Sequence, residues 1–421
     1  MDSIEMPDMH KNTVVVIGAG IVGMSAAIWL LRAGKDVIVV DKGDPGMGAS
    51  YGNAGLIAAC GIAPVTGPGL IRKGPGMLLD PNFPLFMRWS YLPKMLPWLI
   101  KFLSHANEKD TRRIARGLGP IVCDSVEQHR SLARGTTAQG WLTDCDYGFG
   151  YTDRAAFDAE AFTFSMRAEA GFTPEVLTGA QVREYDPNIG KSIDCLALMK
   201  NHAYVRAPGR YVQALAEVFR TEGGTIKQAE VKDFDLSMGK IKAVITDQGR
   251  IACTRAVLTT GAWSKPLTKK LGLSVPLESE RGYHIMFKDP SFTLRSPTLV
   301  ASGKFIATPM EDGLRCAGIV EFGGLDAGPS KAPLDLMRKH VKKNFPTLEY
   351  SGTEEWMGFR PSPTDSLPLI GEISGTGVFA GFGHQHIGLT GGPKTGRMIA
   401  DLIARGGSNL DLSAYDPARF S

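Results

Sequence analysis

No stretch of the 421 residues reaches the ~18 uninterrupted apolar residues of a membrane-spanning helix, so no such helix is expected. Met1 to Lys11 carries three acids, no basic start and no apolar centre, so a secretory signal is not expected there either. Charge of one sign is also missing: 47 Lys and Arg against 43 Asp and Glu leave +4 with no basic block, which makes nucleic acid a poor partner. The cysteines, Cys60, Cys123, Cys145, Cys195, Cys253 and Cys316, are scattered without a CxxC or a short His–Cys spacing. HExxH and EF-hand patterns are absent, so reduced thiols in a cytoplasmic protein, and no metal centre, are the expectation. What is abundant is glycine. It makes up 50 of 421 residues, about 12%, against ~7% in average usage, and it is spread without a period. That pattern points to many tight turns and to backbone lying close against a large ligand. With 43% hydrophobic and 21% charged residues the chain is globular, and its length fits two to three packing units.

Thr13-Val-Val-Val-Ile17 is a β-branched run of strand length, and Gly18-Ala-Gly20-Ile-Val-Gly23 follows it at once. A helical stretch, Ile21 to Arg32, ends at Gly34, and Asp36-Val-Ile-Val-Val40 then reads as a second buried strand closed by Asp41. A GxGxxG alone is weak, but one set between strand and helix, with an acid after the next strand, is the context of a dinucleotide-binding βαβ unit. Gly18 makes the tight turn, Gly20 admits the pyrophosphate, and Gly23 lets helix and strand pack. Ala19, Ile21 and Val22 lie at the helix N-terminus, whose free N–H groups suit phosphate. Asp41, with Lys42 beside it, is placed to accept hydrogen bonds from the adenosine ribose.

NAD and FAD share that unit, and the following segments separate them. Gly46-Met-Gly-Ala-Ser-Tyr-Gly-Asn-Ala-Gly55 is a long loop of small residues directly after the second strand. It resembles the flavin-contacting loop of the D-amino-acid oxidase superfamily, which includes D-amino-acid dehydrogenases, glycine oxidase and sarcosine oxidase. Further matches follow in family order. Ala252 to Ser264 looks like the strand that returns beneath FAD, Gly358-Phe-Arg-Pro-Ser-Pro-Thr-Asp-Ser-Leu-Pro-Leu-Ile-Gly371 is similar to the GxRPxxxDxxPxIG segment, and Gly381 to Thr390 resembles the last flavin-contacting turn. Gly391 to Ala404 matches the helix that closes the sheet. The resemblance implies noncovalent FAD held by the βαβ residues together with Ser50, Asn53, Ala54, Gly55, Leu56, Val231, Thr260, Gly261, Trp263, Gly383, Gly388, Leu389 and Thr390. Relatives with covalent flavin carry a Cys just before the GxRP segment, where this chain has Glu355-Trp-Met-Gly358.

The implied fold is α/β: a Rossmann-like FAD-binding domain and an α+β substrate domain with an antiparallel sheet. Because the cofactor motifs sit near both ends and in the middle, the FAD domain is expected to be discontinuous, over 1–88, 205–277 and 355–421. That leaves 89–204 for a helical substrate region and 278–354 for the substrate sheet, with strands at Gly282–Phe287, Lys304–Thr308 and Arg315–Val320 and a helix at Asp335–Asn344. Phe83 to Leu103 holds six aromatics interleaved with Lys and Arg, and Pro84, Pro93 and Pro97 are expected to break any long helix there. Two readings stand for it: an aromatic core or subunit contact in an oligomer, or a surface peripheral to the inner membrane and facing a quinone.

The implied activity is FAD-dependent oxidative deamination of a D-amino acid by hydride transfer from the α-carbon to the flavin, of dehydrogenase type. The wording DSLPLIG and GHQHIGLT is similar to that of bacterial dehydrogenases of the D-hydroxyproline type. The alternatives are a glycine- or sarcosine-type oxidase making peroxide, with oxygen as electron acceptor in place of quinone, and a flavoprotein subunit of a larger complex. Arg360, matching the Arg of GxRP, is the candidate carboxylate anchor, since a planar guanidinium grips a carboxylate bidentately. Arg206 and Arg281 are its rivals. His384 is a candidate beside the flavin, with His386 behind it, and Tyr283 either closes the pocket or packs. His202 and His284 read as structural, and Asn53 either serves the flavin loop or forms a turn through its own side chain.

Overall fold

The computed structural model describes residues 12–80 and 82–420, so the reading of Met1 to Lys11 lies outside the described residues. Strand β1 (Thr13–Ile17) is buried along its whole length. It lies between β2 (Asp36–Asp41) and the strand Arg255–Leu258, parallel to both. The full sheet has six strands, running Leu369–Glu372, Val378–Phe382, Arg255–Leu258, β1, β2, Thr225–Gln228, and all pairings are parallel except the hairpin at the first edge. Alternation along β1 sends Val14 and Val16 into a core shared with the covering helices. Val15 and Ile17 point the other way, into a core shared with Ile241 and Val244 of a three-stranded antiparallel layer over Val231–Ala252. Burial on both faces is why this strand reads as a continuous apolar run rather than an alternating one.

Helix α1 (Ile21–Arg32) packs against the closing helix, Gly388–Arg405, which begins three residues before its expected start. The contact needs glycine: a Cβ on Gly396 would stand 2.5 Å from the Ala26 nitrogen. This close approach brings the N-termini of both helices to one end of the parallel sheet.

The second sheet has ten strands and is mostly antiparallel. Its longest pairing joins Leu277–Lys288 to Gly352–Pro363 over twelve register positions, from Leu277 opposite Pro363 to Lys288 opposite Gly352. The expected boundary between 354 and 355 therefore falls inside a strand, and Arg360 rides on this sheet rather than on the parallel one. The strands expected at Gly282–Phe287, Lys304–Thr308 and Arg315–Val320 occur as Leu277–Lys288, Phe305–Met310 and Gly313–Phe322, and the helix as Lys331–Asn344.

The proline-rich segment departs from expectation. Leu92–Ser104 is one helix with Pro97 inside it. An interior proline costs ~3 kcal/mol, but Met95, Trp98 and Phe102 bury a shared apolar face with Phe322 and offset that loss. Burial of side chains outweighs one missing backbone hydrogen bond. All six cysteines are unpaired: Cys60, Cys195, Cys253 and Cys316 are buried, while Cys123 and Cys145 are half-buried. Among the described residues no helix is long and apolar enough to cross a membrane.

Candidate active site

A cleft of about 1230 Å³ is lined from both sheets. At one end the β1–α1 turn enters it. Gly18 sits at φ +106°, in the left-handed region, and a Cβ there would meet the Thr259 carbonyl oxygen at 2.8 Å. On Gly23 a Cβ would stand 1.9 Å from the Gly18 oxygen. These two glycines are therefore required by backbone packing, as the motif predicts. Helix α1 has no side-chain cap hydrogen bond and no acid in its first turn, which leaves its N-terminal dipole facing the cleft. The Ile21 N–H donates to Ser50 Oγ at 3.0 Å, tying the small-residue loop to the helix start.

Asp41 is half-buried and already engaged: Ala19 N–H donates to Oδ2 at 2.6 Å and Gly43 N–H to Oδ1 at 2.9 Å. Each oxygen accepts one of these bonds and has capacity for another, so Asp41 shapes the turn and, on the cleft wall, still offers acceptors to a ribose. Lys42 stands over the ring of Trp263, with Nζ 4.6 Å from the centroid. Ala19, Gly20, Val22, Ala54, Leu56, Val231, Thr260, Gly261, Gly388 and Leu389 also line the cleft. Thr390 lines it too and ties the loop to the closing helix, its Oγ accepting from Ala58 N–H at 3.3 Å. Asn53 Oδ1 accepts from Gly55 N–H at 2.9 Å, so it forms its own turn while facing the cleft. Gly23, Gly55 and Gly383 are not on the wall. Their absent side chains make room for backbone and packing: a Cβ on Gly55 would lie 2.8 Å from the Val205 oxygen, and one on Gly383 2.9 Å from Pro363 Cγ. An open helix N-terminus, a turn that tolerates no Cβ and a long apolar groove together fit FAD.

Asp41→Ala is expected to lower FAD affinity by about 10- to 100-fold, since a hydrogen bond to a charged group contributes roughly 1.5–3 kcal/mol. Turnover of the reconstituted enzyme should stay near normal. Equilibrium dialysis against FAD checks this, and unchanged retention would mean that the sugar is held elsewhere.

At the other end of the cleft, Arg360 is half-buried. Its guanidinium lies over Gly282, where a Cβ would meet Cζ, Nε and Nη2 at 2.8 Å. Among the described residues it has no hydrogen-bond or ion-pair partner. Burial pulls its pKa below the ordinary value and the Glu280 carboxylate on the paired strand pushes back. The two rivals are committed elsewhere. Arg281 is fully buried and paired with Glu321 at 2.7 Å, and it also donates to the Ala327 and Gly328 carbonyls. Arg206 is paired with Glu311 at 2.5 Å near the outer surface.

The other sequence candidates separate in the same way. Tyr283 borders the cleft, but its hydroxyl donates to Glu321 Oε2 at 2.6 Å and accepts from Ser330 N–H at 3.0 Å, so it anchors the Arg281 network. His384 borders the cleft with Nε2 2.9 Å from Thr395 Oγ, and burial pushes its pKa down to about 4, so it is neutral at pH 7. His386 is exposed into the open cleft, where lost hydration and then the Arg360 charge lower its pKa below the ordinary value. His202 bridges the Lys200 carbonyl and the Cys60 N–H, and His284 stacks on Trp356 while meeting the Gly52 carbonyl, so both are structural. Cys60 borders the cleft as well, with burial raising its pKa to about 11, so it stays a protonated and unreactive thiol.

Sequence reasoning missed several residues of this wall, Arg167 among them. Gln385 takes φ +45° beside His384, a strained backbone position that no motif announces. Trp356 fills the space that Gly52 and Gly358 leave open. Glu280 is a buried carboxylate facing the cleft near Arg360. No local signal marked it, because Glu278, Ser279 and Arg281 stand beside it in the same strand.

Comparison with known proteins extends the picture. The family model described as DAO, FAD dependent oxidoreductase, matches residues 13–402. A D-amino-acid oxidase of Bradyrhizobium diazoefficiens is 36% identical over 415 residues, covering 97% of this chain and 98% of that protein. A D-amino acid dehydrogenase of Helicobacter pylori is 29% identical over 411 residues, covering 96% and 98%. Among solved structures, glycine oxidase from Geobacillus kaustophilus superposes with a TM-score of 0.73 at 20% identity, covering 97% of this chain and 99% of that one.

Proposed function

The chain belongs to the DAO family of FAD-dependent oxidoreductases, and from that premise we propose that it oxidises the α-carbon–nitrogen bond of a D-amino acid, with cyclic imino acids such as D-proline and D-hydroxyproline within reach. The observation that carries this reading is Arg360: an unpaired guanidinium on the cleft wall, floored by a glycine, beside neutral histidines. Such a group binds a substrate carboxylate bidentately and so fixes which face of the α-carbon is presented. When bound, FAD supplies the chemistry by accepting hydride from that carbon. The protein's own share is positioning and electrostatics. Gly282 gives the guanidinium its place, the Arg281–Glu321–Tyr283 network stiffens the strand beneath it, and the apolar walls keep water from weakening the ion pair. A screen of D- and L-amino acids with an artificial electron acceptor tests the reading, with oxygen uptake and peroxide followed in parallel. Steady turnover of D-amino acids by the purified chain supports it. Turnover that consumes oxygen stoichiometrically would make it an oxidase rather than a dehydrogenase, and no turnover of any amino acid would contradict it.

A dehydrogenase needs an acceptor, and one face of the molecule suits a quinone delivered from a bilayer. Ile71 and Leu79 on the helix Leu70–Leu79, Trp89 on the turn Trp89–Tyr91, and Leu96 and Ile100 on the helix Leu92–Ser104 are exposed. The sequence from Val65 to Ser104 holds five Lys and Arg against the single acid Asp80, which complements anionic lipid. Leu70, Met77 and Phe102 of the same segment line the cleft. The protein is expected to co-sediment with vesicles containing anionic phospholipid and to be released by high salt. Ile100→Glu with Leu96→Glu should abolish this binding while activity with a soluble acceptor is kept. Equal sedimentation of variant and parent would refute the contact.

A further inference from the structure

Glu280 lies on the strand Leu277–Lys288, directly opposite Arg360 in register and next to Phe322 on its other side. It is buried to 4% exposure and borders the cleft. Its one nearby hydrogen-bond donor is the Ser362 hydroxyl on the paired strand, and among the described residues no cation approaches within ion-pair distance. That includes Arg360, whose guanidinium leans away over Gly282. The other groups around it offer no positive charge. Glu278, two residues along, is already bound by the Tyr91 hydroxyl at 3.0 Å. The helix packed over this part of the sheet contributes Trp98 and Phe102 to the apolar cluster around Phe322. A buried carboxylate left in this state is costly, and structures retain one where a ligand supplies the missing cation.

Resting on the reading of Arg360 as carboxylate anchor, we propose that Glu280 binds the α-ammonium of the substrate and takes one proton from it. Arg360 and Glu280 then form a matched pair of opposite charges, set apart on adjacent strands, for the two charged groups of an amino-acid zwitterion. In the transfer an N–H bond of the ammonium breaks, an O–H bond forms on the Glu280 carboxyl, and the electron pair stays on nitrogen. The neutral amine that results is the form able to lose hydride from its α-carbon. Burial raises the pKa of Glu280 while Arg360 opposes it, so the carboxylate is a better proton acceptor than an exposed one.

Glu280→Gln keeps shape and volume and removes the base. With D-amino acids kcat/KM should fall at least roughly 100-fold near neutral pH, within the range of general-base removal. It should then climb tenfold per pH unit toward the amine's own pKa, because only substrate arriving as free amine reacts. In the parent enzyme kcat/KM should instead level off above the pKa of Glu280. Glu280→Asp should restore part of the activity and the parent's pH profile. The second readout is binding: a carboxylate of the same skeleton lacking the amine, titrated calorimetrically into the FAD-loaded protein, should bind Glu280→Gln at least as tightly as the parent. Weaker binding of that carboxylate would show that Glu280 only orients Arg360 and would overturn the proposal, as would a parent-like pH profile in Glu280→Gln. Loss of turnover in the parent itself would instead sink the reading of the function. FAD content equal to the parent's establishes that the variant has kept its fold.

Discussion

Arg360→Ala is expected to lower kcat/KM for a D-amino acid by at least roughly 10- to 100-fold while FAD content stays at the parent's level. The substrate carboxylate would enter a partly dry cleft without its cation, and truncating one partner of such a pair typically costs on the order of 2–5 kcal/mol, at ~1.4 kcal/mol per decade. The two rival arginines are committed, Arg281 to Glu321 and Arg206 to Glu311, while Arg167, also on the cleft wall, lies over the Phe149 and Phe164 rings and donates to the Cys60 carbonyl. Arg360→Lys should rescue little, since a point charge on a flexible stem does not reproduce the planar fork. Steady-state kinetics on the two variants decide it, with an amine of the same shape lacking the carboxylate as control. Any turnover of that amine should be nearly indifferent to the substitution. Full activity in Arg360→Ala would mean that the carboxylate is held elsewhere.

Gly23→Ala is expected to empty the cofactor site. Its Cβ would stand 1.9 Å from the Gly18 carbonyl oxygen and 2.7 Å from Thr259 Oγ, and the first of these is backbone that cannot swing aside. Relief requires α1 to move off β1, which displaces the N–H groups that face the phosphates. Overpacking of this kind costs about 1–3 kcal/mol of stability. Losing two charge-assisted hydrogen bonds on top of that would weaken FAD binding by on the order of 100-fold or more. Purified Gly23→Ala should be nearly colourless and melt several degrees lower, whereas Gly407→Ala, where no atom lies within 4 Å of the new Cβ, should match the parent. A yellow Gly23→Ala with the parent's melting temperature would contradict this account of the turn.

These two sites differ in how far they could be read from the sequence. The β1–α1–β2 unit was legible almost to the residue because its determinants are local. A strand buried on both faces, three glycines at fixed offsets and an acid closing the next strand all lie within Thr13–Asp41. Arg360 was legible as a chemical group but not as a place. Its strand pairs with Leu277–Lys288, distant in sequence, and nothing local announces that partner, so the domain boundary was drawn through the strand itself. The same long-range pairing hid Glu280. In Leu-Glu-Ser-Glu-Arg-Gly-Tyr the charges read as those of a half-solvated strand, yet every residue of that stretch is buried. Arg281 is satisfied by Glu321 from the neighbouring strand and Glu278 by Tyr91. Pro97 failed in the opposite direction: a strong local rule yielded to an apolar face that packs on Phe322. Tyr283 was legible as a wall residue, but whether its hydroxyl faced substrate or scaffold depended on Glu321 and Ser330, which approach it from other elements.

The most direct measurement is a single anaerobic mixing of the FAD-loaded protein with D- and L-amino acids, following the bleaching of the oxidised-flavin absorbance. The account predicts rapid bleaching by D-amino acids, slow or no bleaching by their L-enantiomers, and loss of the fast phase in Arg360→Ala with its flavin still bound. Bleaching by L-enantiomers at the same rate, or a fast phase that survives in Arg360→Ala, would contradict it.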